Sequence, residues 1–257
     1  MKTQVIKEQL RKKVMRSGNG GAVWVPREWL GEEIIVTRLE TPKLSLKEEV
    51  LNILLPHLED VIGVFLYGSY ARKEETSESD IDILVISKNK FKLENRGKFD
   101  INIVSIVELE DKIKKDVFLY SAIKESTSII NSLLLKELKE VKFNFKNLKW
   151  FIDTNKISIN DTREFIELDK LEGEYVLSSN IIYSLVLRLR GLFLINCLKG
   201  NKLFSNKLFK KWITKHISDY EFKQIYRIYR ALRDNKKVDI KVELRTAETL
   251  LDLLKNG

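Results

Sequence analysis

Cysteine, histidine and proline are nearly absent from this sequence: one, two and three residues among 257. One cysteine excludes an intrachain disulfide framework, so a reducing compartment is expected. Two histidines and one cysteine leave no zinc constellation, and nothing supports a Ser-His-Asp triad. Only three glutamines stand beside 32% charged residues, a mixture that resembles thermophile usage. The N-terminus shows no apolar signal-peptide core. The most apolar segment, Ile181 to Leu198, contains Arg188 and Arg190. Each arginine would be costly in hydrocarbon, so a buried helix is predicted there rather than a span. The expectation is a soluble, cytoplasmic protein with no membrane partner.

What is present is charge, unevenly spread. The net charge is +9. Between Arg190 and Lys237, thirteen Lys/Arg face only three acids, Asp219, Glu221 and Asp234. Such a basic region suggests a polyanionic partner. The apolar fraction of 44% is enough for a core.

Residues 61–105 carry the most informative pattern. An apolar run, Val61 to Tyr67, leads into Gly68-Ser69, and after a polar loop Asp80-Ile81-Asp82 opens a second apolar run. Phe99-Asp100-Ile101 begins a third. Alternate strand residues point to one side. Asp80 and Asp82 therefore share a face while Ile81 and Ile83 turn to the core. Paired next to them, Asp100 supplies a third carboxylate. Close carboxylates repel unless a cation joins them, and hard oxygen ligands favour Mg²⁺. Gly68 lets backbone approach a phosphate, Ser69 adds a hydroxyl and an N–H, and a short helix from Tyr70 aims its N-terminus at the same anion. Arg72 and Lys73 add charge there or simply lie at the surface.

The stretch LYGSYARKEETSESDIDILV resembles the DNA polymerase β-type nucleotidyltransferase superfamily, especially its minimal branch. Members commonly have glycine where this chain has Lys73. The resemblance implies transfer of a nucleoside monophosphate from an NTP to an acceptor, with pyrophosphate released and two Mg²⁺ ions engaged. It assigns Asp80 and Asp82 to bridge the metals. Asp100 would hold the acceptor-side metal and assist deprotonation, and Gly68 and Ser69 would hold the triphosphate.

The flanks are read separately. Leu10 to Arg16 is predicted as a basic strand, Ser17 to Gly21 as a turn, Ala22 to Val25 as a strand, Pro26 to Leu30 as a helical turn, and Glu32 to Leu39 as a strand. GNGGAVWVPREWLGEEIIV resembles the AbrB-like swapped-hairpin regulators. That resemblance implies a homodimer and DNA contacts from Arg11, Lys12, Lys13 and Arg16, and a dimerisation module without DNA binding stays open. Ser45 and Glu48 form a capping box for a helix running to about His57. After Asp116 helices are expected throughout, at Leu119 to Ile130, Leu133 to Val141, Asp161 to Leu168, Tyr175 to Leu198 as the longest, Glu221 to Arg233, and Val242 to Leu254. In the helix at 221–233, Lys223, Arg227 and Arg230 share one face and are candidates for acceptor contact. Phe204, Phe209 and Trp212 stack bases or fill a core.

The expected architecture is α+β. A small β module occupies residues 1–40, a nucleotidyltransferase mixed sheet with flanking helices 44–140, and a helical acceptor- or nucleotide-binding domain 141–257. The expected function is Mg²⁺-dependent NMP transfer to RNA or protein, with an antitoxin-like enzyme that modifies a partner toxin as a variant. The alternative is a DNA-binding regulator with a nucleotide-sensing transferase-like domain. Modification of a small molecule is a third reading, which the basic tail disfavours.

Overall fold

The computed structural model describes residues 10, 12–37, 44–93 and 97–256. The chain divides into two compact units, Met1–Leu44 and Ser45–Gly257.

In the first unit a hairpin joins β1 (Met15–Ser17) to β2 (Gly20–Ala22), with Ser17 opposite Gly20. A single helical turn, Arg27–Trp29, follows Pro26. The strands are shorter than expected. Residues 12–14 and 23–25 lie outside them, and residues 32–37 form no strand. The physical reason is the lack of partners: a two-stranded ribbon is marginal, and extra strand length needs an edge to bond to. Large apolar side chains stay in solvent, with Trp24 75% and Ile35 84% exposed. Arg11 and part of the predicted third strand lie outside the described residues.

The second unit starts where its sequence predicts. Ser45 caps α1 (Leu46–Leu54), and the Ser45 N–H donates to Glu48 at 2.7 Å, completing the capping box. Then come β3 (Val61–Tyr67), α2 (Gly68–Ala71), β4 (Ile81–Ser87), β5 (Phe99–Ser105), α3 (Ile106–Lys115), α4 (Val117–Glu125), β6 (Thr127–Ile130) and α5 (Ser132–Glu140). The sheet order is β5-β4-β3-β6, with β4 and β5 parallel and the other pairs antiparallel. Alternation sorts the side chains. Ile81, Ile83 and Val85 pack with Val50 and Leu54 of α1, whereas Phe65, Leu84, Ile86 and Val104 pack against α3 and α4.

The helix predicted from Leu119 to Ile130 is shorter in the structure. It ends at Glu125, and Thr127–Ile130 becomes an edge strand on β3. β-branched Thr127, Ile129 and Ile130 suit a pleated surface, and pairing with β3 overrides the helical apolar spacing.

The remaining chain forms α6 (Lys149–Glu172), α7 (Ser179–Lys199), α8 (Asn206–Ile213), α9 (Asp219–Arg233) and α10 (Leu244–Asn256). At 24 residues α6 is longer than α7, which has 21 and starts after Ser178 rather than at Tyr175. Ser178 accepts from the Asn180 N–H as its cap. By length and composition α7 is able to cross a membrane. Here it packs on α9 and α10 and buries Ile182, Leu185, Val186 and Leu189 at 1% exposure or less. Each such side chain contributes about 1.5–3 kcal/mol of burial free energy. Phe204 and Phe209 belong to this core too, as does the partly buried Trp212, so core packing accounts for all three. Ile195 of α7 reaches across into the sheet's core. Sheet and bundle are thereby packed into one body with a cleft between them.

Candidate active site

The cleft has a volume of about 510 Å³. One wall is the end of β3, α2 and the start of β4; the other is α7, α8 and α9. Gly68 is the pivot of the first wall. Its φ of +70° is unfavourable for side-chain-bearing residues. A Cβ there would sit 1.9 Å from Oδ2 of Asp82. Only glycine allows the turn and the carboxylate to approach so closely.

β-pairing places the acids. Asp82 and Asp100 are register partners on β4 and β5 and therefore share a face. Asp80 lies two residues before Asp82, just ahead of the strand. Asp82 is half-buried, and Asp80 and Asp100 are exposed. Burial, followed by the charges of Asp100 and Asp80, pushes the Asp82 carboxyl up to about 6. The Arg72 charge works in the opposite direction and is outweighed. Burial, with Asp82, Asp100 and Glu125 nearby, also raises the Tyr67 hydroxyl strongly.

That cluster bears on whether a divalent ion fits. The donors are carboxylate oxygens only, and their mutual repulsion marks a place where a hard cation is stabilised. Among the described residues, no three His, Cys, Asp or Glu side chains converge closely enough to close a metal cage. Carboxylate oxygens are nonetheless the donor type that Mg²⁺ takes, with phosphate or water oxygens completing its shell. Asp80, Asp82 and Asp100 are the residues that would hold it, and bound there it would neutralise phosphate charge.

Of the residues singled out in the sequence, Gly68, Ser69, Arg72, Asp80, Asp82, Phe204 and Arg230 line the cleft. Asp100 stands beside Asp82 but outside the lining, and so do Lys73, Lys223 and Arg227. Lys73 is exposed at φ +56°, so it reproduces the left-handed turn that glycine would favour and keeps the loop shape. Lys223 and Arg227 are exposed on α9, and Arg230 pairs with Glu78 at 2.7 Å at the cleft rim. Lys12, Lys13 and Arg16 are exposed in the first unit.

Arg72 is neither a free phosphate ligand nor a loose surface side chain. Its Nη1 donates to both carboxylate oxygens of Glu125 at 2.7 Å, and its Nε donates to Glu74 at 3.2 Å. Glu125 also accepts the Gly68 N–H at 2.8 Å. That N–H is thus engaged inside the protein, which leaves the rest of the turn to meet an anion. Burial raises the Glu125 carboxyl, although Arg72 and the Gly68 N–H oppose it. At Glu74 burial is the largest influence and raises its carboxyl. Donors from Ser205, Asn206 and Arg72 together win, and the net shift is downward.

Glu74 links the two walls. It accepts the Ser205 hydroxyl at 2.6 Å and the Asn206 N–H at 3.0 Å, at the N-terminus of α8. Sequence reading missed Glu74, Glu125, Arg190, Tyr226, Tyr229 and Arg233. The apolar spacing of α9 did mark Tyr226 and Tyr229 as inward-facing, and Arg190 was visible only as a charge inside an apolar helix.

Glycine turn, short helix and strand-borne acids follow one another in this order between Gly68 and Asp100. Residues 47–148 match the nucleotidyltransferase domain family. Residues 47–148 are thus similar to a nucleotidyltransferase domain, over 102 of the chain's 257 residues. Two solved structures are similar at low identity. Spectinomycin adenyltransferase AAD(9) from Enterococcus faecialis, crystallised with ATP and spectinomycin, is 15% identical, with 81% of this chain and 96% of that chain covered and a TM-score of 0.43. A nucleotidyltransferase-like protein from Exiguobacterium sibiricum is 13% identical, with 82% and 74% covered and a TM-score of 0.37. A comparison with curated proteins found no match.

Proposed function

We propose that this enzyme uses Mg²⁺ to transfer an NMP from an NTP to a macromolecular acceptor, RNA or protein. Gly68 shapes the turn from which Ser69 grips the triphosphate, and Asp80 and Asp82 would hold the metal. Asp100 serves the acceptor side. The acceptor's oxygen attacks the α-phosphorus, the bond to the β-phosphate oxygen breaks, and pyrophosphate leaves. The acceptor's proton passes to Asp100.

One observation carries the acceptor class. Asp100 lies on the edge strand β5, exposed and outside the cleft, beside the cleft-lining Asp82. Asp100 is therefore reached from solvent rather than from within the cleft, which suits a large acceptor. The Lys223, Arg227 and Arg230 stripe on α9 supports this reading, because it leads from solvent to the cleft rim.

The test is transfer of label from each α-labelled NTP, with Mg²⁺, into total RNA and into lysate protein. Label is expected in one macromolecular fraction, and the Asp80→Ala/Asp82→Ala variant should lose at least a thousandfold. Label confined to small molecules, or a fully active double variant, would refute the proposal. An antitoxin-like role would appear as label on one partner protein.

The first unit is proposed to pair two copies of the chain. The support is its exposed apolar set, which includes Val14, Trp24, Leu30, Ile35 and Val36. Removal of residues 1–40 should convert a dimer to a monomer in sedimentation. A regulator role would instead show as salt-dependent DNA binding lost in Lys12→Ala/Lys13→Ala/Arg16→Ala and retained in Asp80→Ala/Asp82→Ala.

A further inference from the structure

Among the described residues, the bundle wall holds one cation whose charge no acid answers. Arg72 is paired with Glu125 and Glu74, Arg230 with Glu78, and Arg233 with Asp234. Arg190, on α7, makes no ion pair among the described residues, yet it lines the same cleft. Four aromatic rings surround its guanidinium instead. The centroids of Phe204, Tyr229, Phe209 and Tyr226 lie 5.0, 5.3, 5.5 and 5.8 Å from its central carbon. Rings of this kind stabilise a cation without neutralising it.

Its hydrogen bonds leave one edge open. Nη1 donates to Oδ1 of Asn206 at 2.9 Å and to the Tyr226 hydroxyl at 3.0 Å. Nε and Nη2, the side-on fork of the guanidinium, have no acceptor among the described residues and are not buried. A fork that is fixed, charged and open to a cleft is the geometry that takes two oxygens of one phosphate. Its position is also set. The Phe204 ring that carries Arg190 carries Arg72 as well, at 5.4 Å, and Arg72 is tied through Glu125 to the Gly68 turn.

We propose that Arg190 is a phosphate receptor for the polyphosphate tail of the NTP, held by an aromatic cage and supplied by the bundle rather than by the nucleotidyltransferase domain. This rests on the reading of the cleft as the NTP site. Tyr226 and Asn206 are positioning residues that orient the fork, and Glu74 fixes Asn206 in turn.

The experiment measures binding of metal-free inorganic tripolyphosphate to the full chain by calorimetry, so neither metal nor acceptor enters. Arg190→Gln should weaken binding at least tenfold. Arg190→Lys, which keeps the charge and loses the fork, should fall between it and the unmodified protein. Tyr226→Phe retains the ring and loses the hydroxyl, and should weaken binding about threefold, the size of a modest hydrogen-bond loss. Lys255→Gln removes the same charge from α10, outside the cleft, and should change binding less than twofold. Melting curves establish that each variant is folded, and Arg190→Lys and Tyr226→Phe keep the test open if Arg190→Gln does not fold. Equal tripolyphosphate binding by folded Arg190→Gln or Arg190→Lys and unmodified protein would overturn the proposal. Arg190-dependence seen only with a 5′-phosphorylated oligonucleotide, and not with tripolyphosphate or ATP, would overturn it too, by assigning the fork to the acceptor. A protein that binds tripolyphosphate through Arg190 but transfers no NMP refutes the proposed function and leaves this inference standing.

Discussion

The two walls of the cleft are built on opposite plans. The sheet wall takes Gly68, Asp80 and Asp82 from a short stretch of chain, and strand register sets Asp100 beside Asp82. The bundle wall collects Arg190, Tyr226, Tyr229, Arg230 and Arg233 from α7 and α9. Repulsion is concentrated on the first wall, where Asp82 is raised by its neighbours. On the second wall the charges are caged by rings or paired. The difference teaches that one wall carries unrelieved electrostatic cost, while the other is already close to its resting arrangement.

The largest break in this contrast should come from Gly68→Ala. A left-handed alanine pressed on Asp82 should cost about 4 kcal/mol and abolish transfer, readable by denaturant unfolding and by the labelling assay. Glu125→Ala comes next. It removes the acid that holds both Arg72 and the Gly68 N–H. Loss of one partner of a buried pair should cost about 3 kcal/mol, and an unchanged melting curve would show that the walls are not coupled through Arg72.

Asp82→Asn sharpens the contrast with the opposite sign. The folded-state carboxyl is raised to about 6 from an ordinary value of 3.8. The native state therefore binds the proton more tightly than the unfolded chain does, and stability is lost as pH rises through about 6. At pH 8 without metal, Asp82→Asn should be more stable than the parent by about 1–2 kcal/mol, discounted for partial exposure. The gain should disappear below pH 4. Divalent-ion binding by the unmodified protein should weaken as pH falls below about 6. The smallest effect belongs to Lys73→Gly, which relieves a left-handed lysine and should stabilise by about 0.5–1 kcal/mol with transfer unchanged.

The same contrast explains what the sequence made legible. Ser45 and Glu48, three residues apart, identified the start of α1, and alternation around Asp80 and Asp82 identified the core and site faces of β4. These signals are local, so the chain displays them directly. β6 was hidden because Thr127 to Ile130 continues an apolar helical spacing, and only β3 decides the matter. Glu125 and Glu74 were hidden because their partners are distant: Arg72 lies 53 residues from Glu125, and Ser205 lies 131 from Glu74. An acid that acts through so remote a neighbour has no spacing to betray it.

The parallel pairing of Asp82 with Asp100 makes the third carboxylate an all-or-none trait. One residue of slip between β4 and β5 would send Asp100 to the opposite face, with no partial setting between. An added or lost residue inside Phe99–Ser105 therefore acts as an on–off mutation, whereas a length change in the unpaired connection between Ser87 and Phe99 should disturb the pairing less. Natural variation in this enzyme should accumulate in that connection, and a peptide tag inserted there should be carried without loss of transfer.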